Sequence, residues 1–256
     1  MTSTQITPAQ RAAVVTGAST GIGQATVRLL AARGWRVFAV ARRADRLAEL
    51  AAETGAIAVP TDITADDDVE RLLGAVTDAG GVDTLINIAG GARGADRLAD
   101  AKTADWDWMY QANVVGTMKM TRAFLPMLRD QTDGGTVLNL TSTAGMVSYE
   151  GGAGYNAAKA GQRAMTRALR LEEAEHGVRV IEVLPGMVHT EEFSLNRLGS
   201  ADAASKVYDG VEKPLTSDDV ADIVVYAVTV PHHVNLDEIV VRPLAQAAAH
   251  KVIRTQ

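Results

Sequence analysis

The chain has 256 residues, with 25 Lys and Arg against 31 Asp and Glu, a formal charge of -6 and no cysteine. That balance offers no basic tract to follow a nucleic-acid backbone, excludes thiol and disulfide chemistry, and leaves no apolar run near the ~18 residues of a membrane span. The first ten residues, Met1 to Gln10, are polar, so a cytoplasmic location is the expectation. Length and steady patterning together predict one domain over residues 1–256.

The first predicted strand is Ala12 to Thr16, a short continuous apolar run of the kind buried on both faces of a parallel sheet. Thr16-Gly17-Ala18-Ser19-Thr20-Gly21-Ile22-Gly23 follows, and then a helix-periodic segment through Ala25, Leu29 and Leu30 that ends at Gly34. Strand, glycine turn and helix in that order form an anion cradle. The glycines permit a tight turn and close approach of a pyrophosphate, and the helix N-terminus offers free N–H groups.

A second strand runs from Trp35 to Ala41 and ends in Arg42-Arg43. In a dinucleotide fold an acidic residue here would bind the ribose diol, whereas arginine suits a 2′-phosphate, so NADP(H) is expected, with Arg42 ranked ahead of Arg43. A helix from Ala44 to Thr54 leads to strand Ala56 to Pro60 and then to Asp62-Ile63, where either an adenine contact or a simple turn before the next helix fits. Asp66-Asp67-Asp68 suits the dipole at that helix's start and is read as structural, with no metal implied.

Strand Val82 to Ile88 runs into Ala89-Gly90-Gly91. A long helical segment, Trp106 to Arg129, carries Asn113 and Gly116 in its interior, where both are poor helix formers, which predicts a kink with a purpose. Strand Thr136 to Thr141 is followed by Ser142, and a helix from Gly154 to His176 carries Tyr155 and Lys159. Strand Val178 to Leu184 then reaches Pro185-Gly186. Residues 188–214 lack periodicity and are read as a mobile substrate loop; helix Ser217 to Val230 and strand Glu238 to Val241 close the chain. Strand and helix alternate throughout, so the expected fold is α/β, a Rossmann-type doubly wound parallel sheet with helices on both faces and a site at the strand C-terminal ends.

Tyr155 and Lys159 lie one helical turn apart on one face. A lysine charge about 4 Å from the phenol, at an effective dielectric near 20, would favour phenolate by roughly 4 kcal/mol, or about three pKa units. The tyrosine could then trade protons near neutral pH.

Thr16-Gly17-x-x-x-Gly21-Ile22-Gly23, Asn113, Ser142 and Tyr155-x-x-x-Lys159, with Ser142 placed 155 − 142 = 13 residues before Tyr155, together resemble the short-chain dehydrogenase/reductase family over almost the whole chain. The resemblance implies hydride transfer between an alcohol and a carbonyl. Tyr155 would be the general acid/base, Ser142 would hydrogen-bond the reacting oxygen, Lys159 would lower the tyrosine pKa and hold the nicotinamide ribose, and Asn113 would order a water on Lys159. The cofactor would be held by Gly17, Ser19, Thr20, Gly21, Ile22, Gly23, Arg42, Arg43, Asp62, Ile63, Asn87, Ala89, Gly90, Tyr155, Lys159, Pro185, Gly186, Val188 and Thr190. One departure is Ile88, where the family usually has a second asparagine. A local packing change is expected there, with activity kept.

Glu192-Phe193-Ser194, Pro231-His232-His233-Val234-Asn235 and Arg242-Pro243 look like the branch containing NADP-dependent 3-hydroxy acid dehydrogenases of the serine/threonine type. They also look like clavulanate-type aldehyde reductases of secondary metabolism, so the substrate stays open. Arg93 and Arg197 flank the expected pocket, either as carboxylate partners or, as most arginines are, as solvated surface charges. His232 and His233, in a Pro-marked turn after a helix, are read as packing residues at a subunit contact. Ala157, Ala160, Ala164, Ala168 and Leu171 line one helix flank, and the family resemblance implies a homotetramer, or failing that a dimer. A nucleotide sensor without turnover is the reading from another class, disfavoured by the joint presence of Asn113, Ser142, Tyr155 and Lys159.

Overall fold

A computed structural model describes residues 11–190 and 192–255. Seven strands form one parallel sheet in the order β3-β2-β1-β4-β5-β6-β7. They are β1 (Ala12–Thr16), β2 (Arg36–Ala41), β3 (Ile57–Pro60), β4 (Thr84–Asn87), β5 (Thr136–Leu140), β6 (Arg179–Pro185) and β7 (Glu238–Val241). The expected doubly wound sheet is therefore present, with strand ends shifted by a residue or two.

The physical basis is visible in β1, whose five residues are all buried. Ala13 and Val15 pack on one face against α1 (Gly21–Ala32), α2 (Ala44–Thr54) and α9 (Ser217–Thr229), through Val27, Leu30, Leu47, Leu50, Val220 and Val224. Ala12 and Val14 pack on the other against α3 (Asp66–Asp78), α5 (Gly116–Arg129) and α6 (Ala153–Glu173), through Leu72, Val76, Met120, Phe124, Leu128 and Leu169. A strand buried on both sides needs apolar residues without alternation, which is what the sequence shows.

Between α4 (Thr103–Tyr110) and α5 the chain makes a π-helical turn over Gln111–Val115. This is the predicted kink, and Asn113 is at its centre. The stretch read as aperiodic contains two short helices, α7 (Phe193–Leu198) and α8 (Ala201–Lys206). Six residues are too few to display a helical period. A further antiparallel hairpin, β8 (Gln246–Ala248) with β9 (Lys251–Val252), was not anticipated. Among the described residues no helix is long and apolar enough to cross a membrane.

Candidate active site

Strand order reverses between β1 and β4, since β2 and β3 lie to one side and β5 to β7 to the other. The C-terminal ends of strands at such a switch point splay apart and leave a crevice. Here it is a cavity of about 1270 Å³. That exceeds the roughly 300–1,000 Å³ usual for one small ligand, leaving room for a long cofactor beside a substrate.

The floor of one end is the glycine turn. Gly17 has φ 69° and Gly21 φ 55°, and a Cβ on Gly23 would come 2.2 Å from the Gly17 carbonyl oxygen, so helix and turn touch through backbone alone. The Thr16 hydroxyl accepts from the N–H groups of Ile88 (2.9 Å) and Ala89 (3.0 Å), which ties this turn to the end of β4. Ile88, at the position where a second asparagine is absent, packs against the core. Thr20 precedes α1 without a side-chain cap, and its buried hydroxyl lacks a hydrogen-bond partner. An uncapped helix start and an orphaned hydroxyl at one spot fit a pyrophosphate.

Every sequence-predicted site residue lines the cavity except Asn87 and Asn113. Asn87 is buried beneath it and donates to Asn139 Oδ1 (2.9 Å) and Thr121 Oγ1 (3.3 Å). Asn113 lies just behind. Its Nδ2 donates to Gly91 O (2.9 Å) and Met109 O (2.7 Å), and its Oδ1 accepts from Gly91 N (3.1 Å).

At the far end, Arg42 is exposed on the cavity wall, while Arg43 donates to Ser19 Oγ (2.9 Å) and pairs with Glu192 at 2.6 Å. Asp62 lines the cavity, and its Oδ1 accepts from Thr64 N (2.9 Å) and Oγ1 (2.7 Å), closing a turn.

Ser142, just beyond β5, accepts from Ala144 N (3.1 Å) and donates to Pro185 O (3.4 Å). Tyr155, in the first turn of α6, meets the Phe193 ring edge-on at 5.6 Å. Burial, with Tyr149 nearby, pushes the Tyr155 phenol up, against the Ser142 hydroxyl and the Arg197 charge. Lys159 is pushed down to about 7 by burial, against the opposing pull of Glu182.

Lys159 Nζ lies 5.9 Å from the Tyr155 ring centroid and donates to Leu140 O (3.2 Å) and Gln162 Oε1 (2.8 Å). Desolvation penalises both charged forms at this depth, and the ammonium is turned to neutral acceptors below the tyrosine. The cation that favours a Tyr155 phenolate is Arg197, contributed by α7.

Arg93, which is exposed as a solvated charge would be, and the half-buried Arg197 both line the cavity. Arg93 stacks over Trp108 at 4.1 Å and Arg197 over Tyr149 at 5.3 Å, and all four side chains line the cavity. Arg197 also donates to Gly151 O (3.1 Å), and its backbone carbonyl accepts from Gly94 N (2.9 Å), drawing three loops together. Sequence reasoning also missed Gln246, whose Oε1 accepts from Met187 N (2.8 Å) and covers the Pro185-Gly186 bend. No local signal marks it. His232 hydrogen-bonds Gly177 O (2.9 Å), and neither it nor His233 lines the cavity.

A parallel sheet in this order, with serine, tyrosine and lysine gathered at the edge that carries the glycine turn, defines a Rossmann-like oxidoreductase. The chain belongs to the short chain dehydrogenase family, whose profile matches residues 11–198. It is 49% identical over 249 residues to an uncharacterized oxidoreductase of Mycobacterium tuberculosis, covering 97% of each chain. It is 38% identical over 240 residues to the serine 3-dehydrogenase of Agrobacterium fabrum, covering 92% of this chain and 95% of that protein. The closed form of serine dehydrogenase complexed with NADP+ superposes with a TM-score of 0.89 at 34% identity, over 96% of this chain and 100% of the other.

Proposed function

We propose that this protein is an NADP(H)-dependent dehydrogenase that interconverts a short, anionic hydroxy acid and its carbonyl counterpart. The observation that carries the reading is the convergence of Ser142 and Tyr155 on one end of a cavity whose other end holds Arg42, Arg43 and the uncapped start of α1. The bound nicotinamide supplies or accepts the hydride. Tyr155 gives its phenolic proton to the carbonyl oxygen as that oxygen gains charge, and takes one back from the alcohol in the reverse direction. Ser142 offers a second hydrogen bond to the same oxygen. Burial keeps the phenol protonated at neutral pH, which suits the acid role in reduction.

The cavity's charges support an anionic substrate. Its lining holds Arg42, Arg43, Arg93, Lys159 and Arg197 against Asp62 and Glu192. Glu192 pairs with Arg43 and Asp62 is bonded to Thr64, so Arg93 and Arg197 face the substrate end with no carboxylate partner among the described residues. Two such guanidiniums suit a carboxylate. The relationship to a serine 3-dehydrogenase points the same way. The exposed flank of α6, with Ala157, Ala160, Ala164, Ala168 and a Leu171 that is 82% exposed, is the face on which a second copy would pack.

The test is steady-state turnover with NADP(H) on matched 3-hydroxy acids and uncharged alcohols, with Tyr155→Phe alongside. Tyr155→Phe is expected to cut turnover by at least about a hundredfold while keeping cofactor affinity. Near-normal turnover in that variant rejects the acid role, and use of neutral carbonyls alone rejects the hydroxy acid in favour of an aldehyde or ketone reductase.

A further inference from the structure

We propose that Gln162 is a positioning residue for Lys159, joining the lysine through Thr117 to the turn that carries Asn113. Gln162 is wholly buried, one turn beyond Lys159 on α6. Its Oε1 accepts from Lys159 Nζ at 2.8 Å, and its Nε2 donates to Thr117 Oγ1 at 3.1 Å. The Thr117 hydroxyl in turn donates to the Asn113 carbonyl at 2.9 Å. Lysine and π-helical turn are thereby linked through two side chains, with both ends of the amide used.

An ammonium carries three donors. Two of them go to Leu140 O and Gln162 Oε1, so only one remains for the cavity side. Lys159 is 4% exposed, and water cannot readily replace a lost acceptor there. A neutral amide does not pass a proton along without changing tautomer. Gln162 therefore fixes where the charge sits and supports the protonated form, since a hydrogen bond to the charged form favours it.

The groups that face this ammonium are few. From β6 comes Glu182, which accepts from Thr141 Oγ1 (2.6 Å) and lies 3.7 Å from Arg163 Nε. On its own helix is Tyr155, beyond which stand Tyr149 and Arg197. From α5 and the π-helical turn come only the uncharged Thr117 and Asn113, and from β5 the Leu140 carbonyl. Gln162 is the one neutral side chain bonded directly to Nζ among the described residues.

The inference rests on the proposed role of Lys159, and the experiment separates the two. The pH dependence of kcat/KM for NADPH-driven carbonyl reduction is measured for the wild type, Gln162→Leu, Gln162→Glu and Lys159→Met, with melting temperature and NADPH affinity recorded for each. The limb on which activity falls as Lys159 loses its proton is expected to move down by about one pH unit in Gln162→Leu and up by at least about one in Gln162→Glu. Should Gln162→Leu fail to fold, Gln162→Met, which keeps the chain length but removes the amide acceptor, takes its place with the same downward shift expected. A limb that stays in place in the Gln162 variants while only the melting temperature changes means simple packing, and overturns the inference. A limb that survives in Lys159→Met does not belong to the lysine, and the proposed role of Lys159 falls with it.

Discussion

Arg43 and Glu192 meet at 2.6 Å across the cavity mouth, joining the end of β2 to the residue that precedes α7. Arg43 is also held by Ser19 Oγ, so the guanidinium is already oriented. Arg42 beside it is exposed and has no hydrogen-bond or ion-pair partner among the described residues. A 2′-phosphate would find Arg42 open and would sit beside the Glu192 carboxylate at Arg43. Glu192→Gln is therefore expected to tighten NADPH binding several-fold at low salt and less at high salt, because the pair is partly exposed and screened. Arg42→Asp is expected to reduce the preference for NADPH over NADH at least tenfold. Fluorescence titration of both cofactors at two ionic strengths reads both effects, and equal affinity for the two cofactors in the unmutated protein contradicts the arginine argument.

Gly23 has no room for a side chain. Its Cβ would fall 2.2 Å from Gly17 O and 3.0 Å from Ala18 N, and backbone cannot swing aside. Gly23→Ala must push α1 away from the turn, with a stability loss of roughly 1–3 kcal/mol and a cradle too wide for a pyrophosphate. Thermal unfolding with and without NADPH is the measurement. A variant that melts like the wild type and is stabilised equally by cofactor contradicts the close-packing account.

Lys159 imprints a pH dependence on stability. Its pKa falls from 10.5 when unfolded to about 7 in the fold. Below pH 7 both states carry the proton and the fold bears the full penalty of a buried charge. Between about 7 and 10.5 the unfolded chain binds the extra proton, so this group makes stability rise with pH, by at most about 1.4 kcal/mol per unit. Lys159→Met is accordingly expected to be most stabilising near pH 6, with its advantage narrowing towards pH 10. Denaturant melts of both proteins across that range are decisive. A constant difference shows that the lysine does not titrate there.

Strand and helix order, the glycine turn and the shared face of Tyr155 and Lys159 were all legible in the chain, because each depends on residues within a few positions of one another. The apolar content of β1 and the awkward Asn113 announce a buried strand and a distorted helix without any knowledge of neighbours. What the lysine points at was not legible. Leu140 and Gln162 capture its ammonium because β5 and the α6 interior lie beneath it, and burial raises the cost of charge on phenol and amine alike. Arg93 finds Trp108, Arg197 finds Tyr149, and Gln246 finds Met187 across gaps that no local pattern spans. Periodicity reports which side of an element is apolar, but the partner a polar group takes is settled only when remote segments pack together and water is excluded.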